Sequence, residues 1–172
     1  MDLKSEMLTK LLFLTVLTAS LLGTALAAEQ PRFAVYIMRH LNVDLTQKGD
    51  FDLNDEGRAN ATRLVAWFDG KPLVAIFVST WKRTKQTAAP LAIARKLEPK
   101  KYEKQLAMDQ SRVGPILIIG HSDTVPRIIL ELAGPKITQN RNYPPNPIPR
   151  DRFGQIWTIA DGQLLYDQLS MK

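Results

Sequence analysis

The hydrophobic positions along this chain fall into short continuous runs separated by stretches with a helical repeat. The continuous runs occupy residues 33–38, 73–78 and 115–120. A run of this length without polar alternation is typical of a β-strand that is covered on both faces. Because the helices that connect parallel strands cover both faces of a sheet, these runs indicate the buried strands of an α/β fold.

Helical segments follow each predicted strand. After the first, a polar loop leads to Asn54, a residue type that caps helices, and apolar residues then recur at positions 61, 64, 65 and 68. Helix formers dominate residues 82–97, and a short helix is predicted over residues 124–132. A strand followed by a helix therefore occurs three times.

The remaining segments predict loops and a terminal hairpin. Residues 98–112 are charged and less regular in pattern, and residues 135–150, rich in Pro, Asn and Arg, predict a surface loop. The strand-like runs 153–159 and 163–169 flank Asp161-Gly162, a dipeptide favoured in tight hairpin turns. The predicted fold class is α/β, a three-layer α/β/α arrangement with a mainly parallel central sheet.

The first thirty residues differ in character from the rest. Two lysines precede an apolar stretch over residues 11–22, and Ala25-Leu26-Ala27 has the small-x-small pattern of a cleavage site. This predicts a secretory signal peptide over residues 1–27 rather than a membrane anchor, which needs ~20 apolar residues, or a buried helix. We expect an exported, periplasmic protein with a single mature domain, residues 28–172, and no membrane span.

Composition limits the chemistry that the chain can perform. It contains no cysteine and two histidines, and its formal net charge is +6 at pH 7. The lack of cysteine excludes disulfides, thiolate nucleophiles and cysteine metal sites. Positive charge favours anionic partners, but the chain has neither a basic run nor a nucleic-acid-binding motif. Phosphorylated small molecules or anionic envelope lipids therefore fit better than nucleic acid.

Both histidines follow predicted buried strands. His40 comes after the first strand together with Arg39, and His121 comes after the third. Polar residues 79–83, ending in Arg83, follow the second strand. In parallel α/β sheets the ligand crevice lies outside the carboxyl ends of the strands. We therefore expect these side chains to form one site.

These residue types suit chemistry at phosphorus. The planar guanidinium groups of Arg39 and Arg83 match the oxygens of a phosphate dianion. Neutral imidazole is a nucleophile near neutral pH and divides hydrolysis into two displacements. A second, protonated imidazole can donate to the equatorial oxygens of the transferring group. Such a site requires no metal and no other cofactor.

The motifs around these residues resemble those of the histidine phosphatase superfamily, which includes phosphoglycerate mutases and phosphohistidine phosphatases. The similar segments are, in order, 39–41, 53–58, 79–88 and 120–126. The resemblance spans residues 35–134 and implies a phosphoglycerate mutase-like fold. It also implies that His40 is the phosphorylated nucleophile, that Arg39 and Arg83 bind phosphate, and that His121 completes the pocket.

Two features depart from the family pattern. Leu41 stands where the family has Gly or Ala, so a bulky side chain is expected to narrow the pocket or displace the backbone. The general acid of many members has no clear counterpart here. Its candidates are Asp123, which is favoured, and Asp109, Glu98 and Glu103. Candidates for further substrate contacts are Asn42, Ser79 and Ser122.

The resemblance implies a metal-independent phosphatase that hydrolyses a phosphomonoester or phosphoramidate through a phosphohistidine on His40. One alternative, suggested by Leu41 and the missing acid, is a weak or inactive phosphate-binding protein of the same fold. Another is a metallohydrolase using His40, His121 and Asp123, although so few ligand types argue against it. Export and basic charge suggest an envelope phosphosugar as substrate, and the oligomeric state is not indicated.

Overall fold

The computed structural model describes residues 31–170. Its strands are β1 (Val35–Arg39), β2 (Ala75–Val78), β3 (Lys100–Lys101), β4 (Ile116–Gly120), β5 (Gln155–Ala160) and β6 (Gln163–Gln168). Its α-helices are α1 (Asp55–Trp67), α2 (Lys82–Arg95), α3 (Lys104–Ser111) and α4 (Thr124–Ala133), followed by a 3-10 helix at Pro135–Gln139. The predicted signal peptide lies outside the described residues and stays a prediction. Within residues 31–170, no helix has the length and apolarity needed to cross a membrane.

The strands of residues 31–170 form one mixed sheet in the order β3-β2-β4-β1-β5-β6. The first four strands in this order run parallel, whereas β5 and β6 are antiparallel additions at the β1 edge. Asp161 and Gly162, which join β5 to β6, have φ values of 49° and 72°. Tight hairpin turns require such left-handed residues. The predicted α/β fold with a mainly parallel sheet and a terminal hairpin is confirmed.

Helices cover both faces of the sheet, because successive side chains of a strand point to opposite faces. On one face, Ile37 and Ile118 belong to a buried cluster with residues of α3 and α4. On the other face, Met38 and Leu117 belong to a cluster with residues of α1 and α2. The central strands are therefore buried on both sides, which explains their continuous apolar sequence.

The start of α1 fixes the loop that follows β1. The Asn54 side chain accepts a hydrogen bond from the Gly57 amide at 2.8 Å, so the predicted cap is present. A Cβ atom on Gly57 would lie 2.1 Å from the carbonyl oxygen of Asn42. Only glycine therefore allows the helix to approach this loop so closely, and the loop carries the residues next to His40.

Two segments are more regular than the sequence pattern indicated. Residues 98–112 contain the short edge strand β3 and helix α3, whose Ala107 and Met108 are buried against the sheet. This helix has few apolar positions, so its packing rather than its periodicity defines it. The predicted loop 135–150 begins with the 3-10 helix, which buries Ile137 in the same cluster.

Candidate active site

The candidate residues gather at the carboxyl ends of β1, β2 and β4. These strands are neighbours in the sheet, and the last residue of β1, Arg39, is paired with the last of β4, Gly120. The ring centroids of His40 and His121 consequently lie 5.4 Å apart. Both histidines line a cavity of about 850 Å³ together with Arg39 and Arg83. We call this space the main cavity.

His40 is held in a defined orientation by the backbone. Its own amide donates to the carbonyl of Gly120 at 2.9 Å, which ties the residue to β4. Its Nδ1 donates to the carbonyl of Leu41 at 2.8 Å. Because a carbonyl oxygen is only an acceptor, this bond assigns the proton of the neutral ring to Nδ1 and leaves a lone pair on Nε2.

The environment of His40 keeps the ring uncharged. Burial lowers the pKa of His40 to about 3, and the positive charges of Arg39 and Arg83 act in the same direction. The hydrogen bond to Leu41 opposes them only partly. The ring therefore retains the lone pair that a nucleophile needs at neutral pH.

His121 is held by hydroxyl groups. Its amide donates to Thr124 Oγ1 at 2.7 Å, and its Nε2 lies 2.9 Å from Ser79 Oγ. Its Nδ1 is buried and has no hydrogen-bond partner within the described part of the chain. Burial, followed by the charge of Arg83, lowers the pKa of His121 to about 4. The ring is therefore neutral, which differs from the protonated imidazole expected from the sequence.

Arg39 connects the main cavity to the loop before β5. Its Nη1 lies within hydrogen-bond distance of three backbone carbonyls, those of Pro149 (2.9 Å), Arg150 (3.3 Å) and Arg152 (3.1 Å). The guanidinium carbon lies 4.3 Å from the ring centroid of Phe153. Its Nε is buried and finds no partner among residues 31–170. Arg39 therefore fixes the loop and keeps one buried donor for an anion.

Arg83 lies beside one carboxylate and two aromatic rings, the more distant being Phe51, whose centroid is 5.9 Å from the guanidinium carbon. Its Nη1 lies 3.6 Å from Asp50 Oδ1, beyond hydrogen-bond length, and is otherwise buried without a partner in the described chain. The guanidinium carbon stands 4.7 Å from the ring centroid of Trp81. Burial lowers the pKa of Arg83, and Asp50 and Asp123 raise it in part. The donor capacity of this guanidinium is therefore not used up within the protein.

Of the remaining site residues proposed from the sequence, some line the main cavity and others do not. Asn42, Ser122 and Asp123 line the main cavity. Ser79 does not, but it bonds to His121. Leu41 is fully buried in the core cluster beside α1, so the expected narrowing of the cavity by its side chain was wrong.

Among the acid candidates, only Asp123 lines the main cavity. Asp109 instead accepts from Gln105 at 3.0 Å on α3, and Glu98 and Glu103 lie on either side of β3. The structure adds Asp151, which sequence reasoning missed. Its loop is brought to the cavity by contacts with Arg39 that no local sequence pattern encodes.

The donor set does not suit a metal. In residues 31–170, no three His, Cys, Asp or Glu side chains are grouped so that they could hold an ion. His40, His121 and Asp123, the ligands of the metallohydrolase hypothesis, therefore do not form such a group. The electrostatics point the same way, because two guanidinium groups share the cavity with both histidines and repel cations.

Comparisons with known proteins agree with this description. The sequence profile described as Histidine phosphatase superfamily (branch 1) matches residues 35–107, which include His40 and Arg83. No curated protein sequence matches the chain.

Solved structures share the fold at low sequence identity. The protein histidine phosphatase SixA complexed with tungstate has a TM-score of 0.58 and 20% identity, over 80% of this chain and 96% of that one. A putative phosphohistidine phosphatase SixA from Agrobacterium tumefaciens has a TM-score of 0.57 and 18% identity, over 78% and 96%. A phosphoserine phosphatase from Entamoeba histolytica, in complex with 3-phosphoglyceric acid, has a TM-score of 0.56 and 14% identity, over 80% and 97%.

We predict that both imidazoles stay neutral from pH 7 down to about pH 5, although free histidine titrates near 6.5. Burial and neighbouring arginines lower the pKa of His40 to about 3 and that of His121 to about 4. Nitrogen NMR of the two rings in phosphate-free buffer measures this directly. The urea-unfolded chain serves as control. A ring that titrates near 6.5 in the folded protein would contradict the prediction.

The same pKa shifts predict how stability depends on pH. The unfolded chain binds protons at both rings below pH ~6.5, whereas the folded chain does not until the lowered values are reached. The stability that these histidines contribute is therefore fully present above that pH and is lost as the pH falls towards 4 and then 3.

Proposed function

Because this chain belongs to the histidine phosphatase superfamily, we propose that it is a metal-independent phosphatase that acts through a phosphohistidine on His40. Membership supports phosphatase activity in general. The observation that carries the specific proposal is the main cavity. There a neutral histidine with a lone pair on Nε2 lies beside two arginines, each with one buried nitrogen that has no hydrogen-bond partner among residues 31–170.

Phosphate binding is the first step of the proposal. Nε of Arg39 and Nη1 of Arg83 are buried donors without hydrogen-bond partners among the described residues. Leaving such groups unpaired is costly, and a phosphate dianion satisfies them with charge-assisted hydrogen bonds. The dianion also offsets the repulsion between the two arginines, which contributes to the lowered pKa of Arg39. Binding and catalysis thus use the same charges.

The chemical step is an attack by Nε2 of His40 on phosphorus. A P–N bond forms, the bond to the leaving group breaks, and the leaving group takes the electron pair and a proton. The Leu41 carbonyl, which accepts from Nδ1, stabilises the positive charge that develops on the ring. Water then attacks phosphorus and gives its proton to the carboxylate that protonated the leaving group. The P–N bond breaks, and inorganic phosphate leaves with His40 neutral again.

His121 and Asp123 are assigned the two remaining tasks. The Ser79 hydroxyl donates to Nε2 of His121, so the proton of the neutral ring is on Nδ1. This Nδ1 has no hydrogen-bond partner among residues 31–170, and it donates to a phosphoryl oxygen of the substrate. Asp123, at the start of α4, lines the same cavity and donates the proton to the leaving group.

The substrate is proposed to be a phosphorylated small molecule, as in the Entamoeba phosphoserine phosphatase with bound 3-phosphoglyceric acid. Export and an envelope phosphosugar substrate stay predictions. The alternative of an inactive phosphate-binding protein rested on Leu41 and on a missing acid. The position of Leu41 in the core and of Asp123 at the cavity favours the phosphatase, and the binding protein stays the second hypothesis.

Trapping the intermediate tests the function. Protein mixed with a radiolabelled phosphate donor and quenched in alkali should retain one label on His40, and quenching in acid should remove it, because phosphoramidates are acid-labile. His40→Ala should not label. The matched control, His121→Asn, changes the other histidine and should still label, at a lower rate. Turnover of the donor by wild type without any alkali-stable label would exclude the proposed intermediate.

The acid assignment makes a separate prediction about leaving groups. Asp123→Asn should lower kcat/KM by about 10²–10⁴ for an alkyl phosphate, whose leaving group needs protonation. For para-nitrophenyl phosphate, whose leaving group departs as a stable anion, the loss should be below about tenfold. Asp151→Asn is the matched control, because Asp151 lines the same cavity. If the selective loss appears in Asp151→Asn instead, Asp123 is not the acid.

A further inference from the structure

A second cavity, of about 370 Å³, adjoins the main cavity. We call it the side cavity. The two cavities have Trp81, His121 and Thr124 in common as lining residues. The side cavity therefore borders the main cavity at these three residues. One of them, Trp81, also contacts the guanidinium of Arg83, so this border lies close to the proposed phosphate position.

The side cavity combines an apolar floor with an aromatic wall. Val78, Ile119 and Ile128 line it and are almost completely buried. Trp81, by contrast, remains 43% exposed although tryptophan is the largest apolar side chain. Its ring also contacts the Arg83 guanidinium. A flat ring packed against Trp81 would thus lie directly beside the phosphate-binding arginine.

The rim of the side cavity is positively charged. Lys101 and Arg127 line it and are both exposed, and the one carboxylate in the lining belongs to Glu131. Glu131 accepts a hydrogen bond from the Tyr102 hydroxyl at 3.3 Å. Burial and Glu131 raise the pKa of Tyr102, so its phenol stays neutral and adds no negative charge. Two cations therefore face one carboxylate that already has a partner.

We propose that the side cavity binds the leaving group of the substrate, and that this group carries a flat ring and a carboxylate. The ring packs on Trp81 above the apolar floor, and the carboxylate lies between Lys101 and Arg127. This inference rests on the proposed function, because it assumes that the phosphoryl group is bound at Arg83 and His40. It narrows the substrate class from phosphorylated small molecules in general to anionic, ring-containing ones.

Phenyl phosphate and para-carboxyphenyl phosphate are the probes, because they differ mainly in the carboxylate. In wild type, the carboxylate should lower KM. In the double variant Lys101→Ala/Arg127→Ala this advantage should fall by about two- to 25-fold, since each lost charge pair at an exposed site is worth about 1.4- to fivefold. The kcat for phenyl phosphate should be unchanged, because neither residue lines the main cavity.

The matched control is the double variant Lys104→Ala/Lys136→Ala, which removes the same charge from exposed positions that line neither cavity. It should keep the wild-type preference. An equal loss in both double variants would show that only the general positive field matters and would overturn the proposal. Absence of any preference in wild type would do the same.

A binding measurement separates this inference from the proposed function. The product para-hydroxybenzoate should shift the indole NMR signal of Trp81 more than phenol does, with the signal assigned by Trp81→Phe. The shift should weaken in Lys101→Ala/Arg127→Ala. A wild type that turns over neither phosphate contradicts the proposed function, while the indole shift still tests the cavity. If hydroxybenzoate and phenol act equally on Trp81, the inference is wrong.

Discussion

The site depends on the parallel pairing of β1 with β4. This pairing ends with Arg39 opposite Gly120, and the amide of the next residue, His40, extends it by a hydrogen bond to Gly120. His40 and His121, which are far apart in the sequence, therefore begin the loops after β1 and β4 at the same edge of the sheet. The 5.4 Å separation of the imidazoles follows from this register rather than from any direct bond between them. A slip of one residue would turn these side chains to the opposite faces.

Burial leaves the arginines of the site charged and its histidines neutral. Arginine has so high a pKa that desolvation lowers it without removing the charge. Histidine has a pKa close to neutrality, so the same burial and the same neighbours keep both rings neutral. The cavity therefore contains two charged guanidinium groups next to a lone pair. This is the combination that attracts a phosphate dianion and then attacks it.

The sequence was sufficient for the parts of the structure that local patterns control. Continuous apolar runs predicted the buried strands, and Asn54 predicted the start of α1. The strand-end rule predicted that the histidines and arginines would meet, because it depends only on the order of strands and helices. The direction of the Leu41 side chain was not predictable, since the path of the loop depends on its close contact with Gly57.

The long-range contacts of loops could not be predicted from local sequence patterns either. Asp151 reaches the main cavity because Arg39 binds the carbonyls around it, and backbone carbonyls carry no sequence signal. The side cavity likewise needs β3, a strand of two residues with no hydrophobic pattern, to bring Lys101 and Tyr102 beside Trp81. Such features arise from the assembled fold rather than from any local sequence pattern.

Four side chains from three strand ends should bind one tetrahedral oxyanion, and a crystal structure of the protein soaked in tungstate or vanadate measures this. We expect the anion in the main cavity, with Arg39, Arg83 and His121 as donors at about 3 Å and Nε2 of His40 facing the central atom. An anion bound only elsewhere on the basic surface, or one in the cavity without contact to His40, would contradict it.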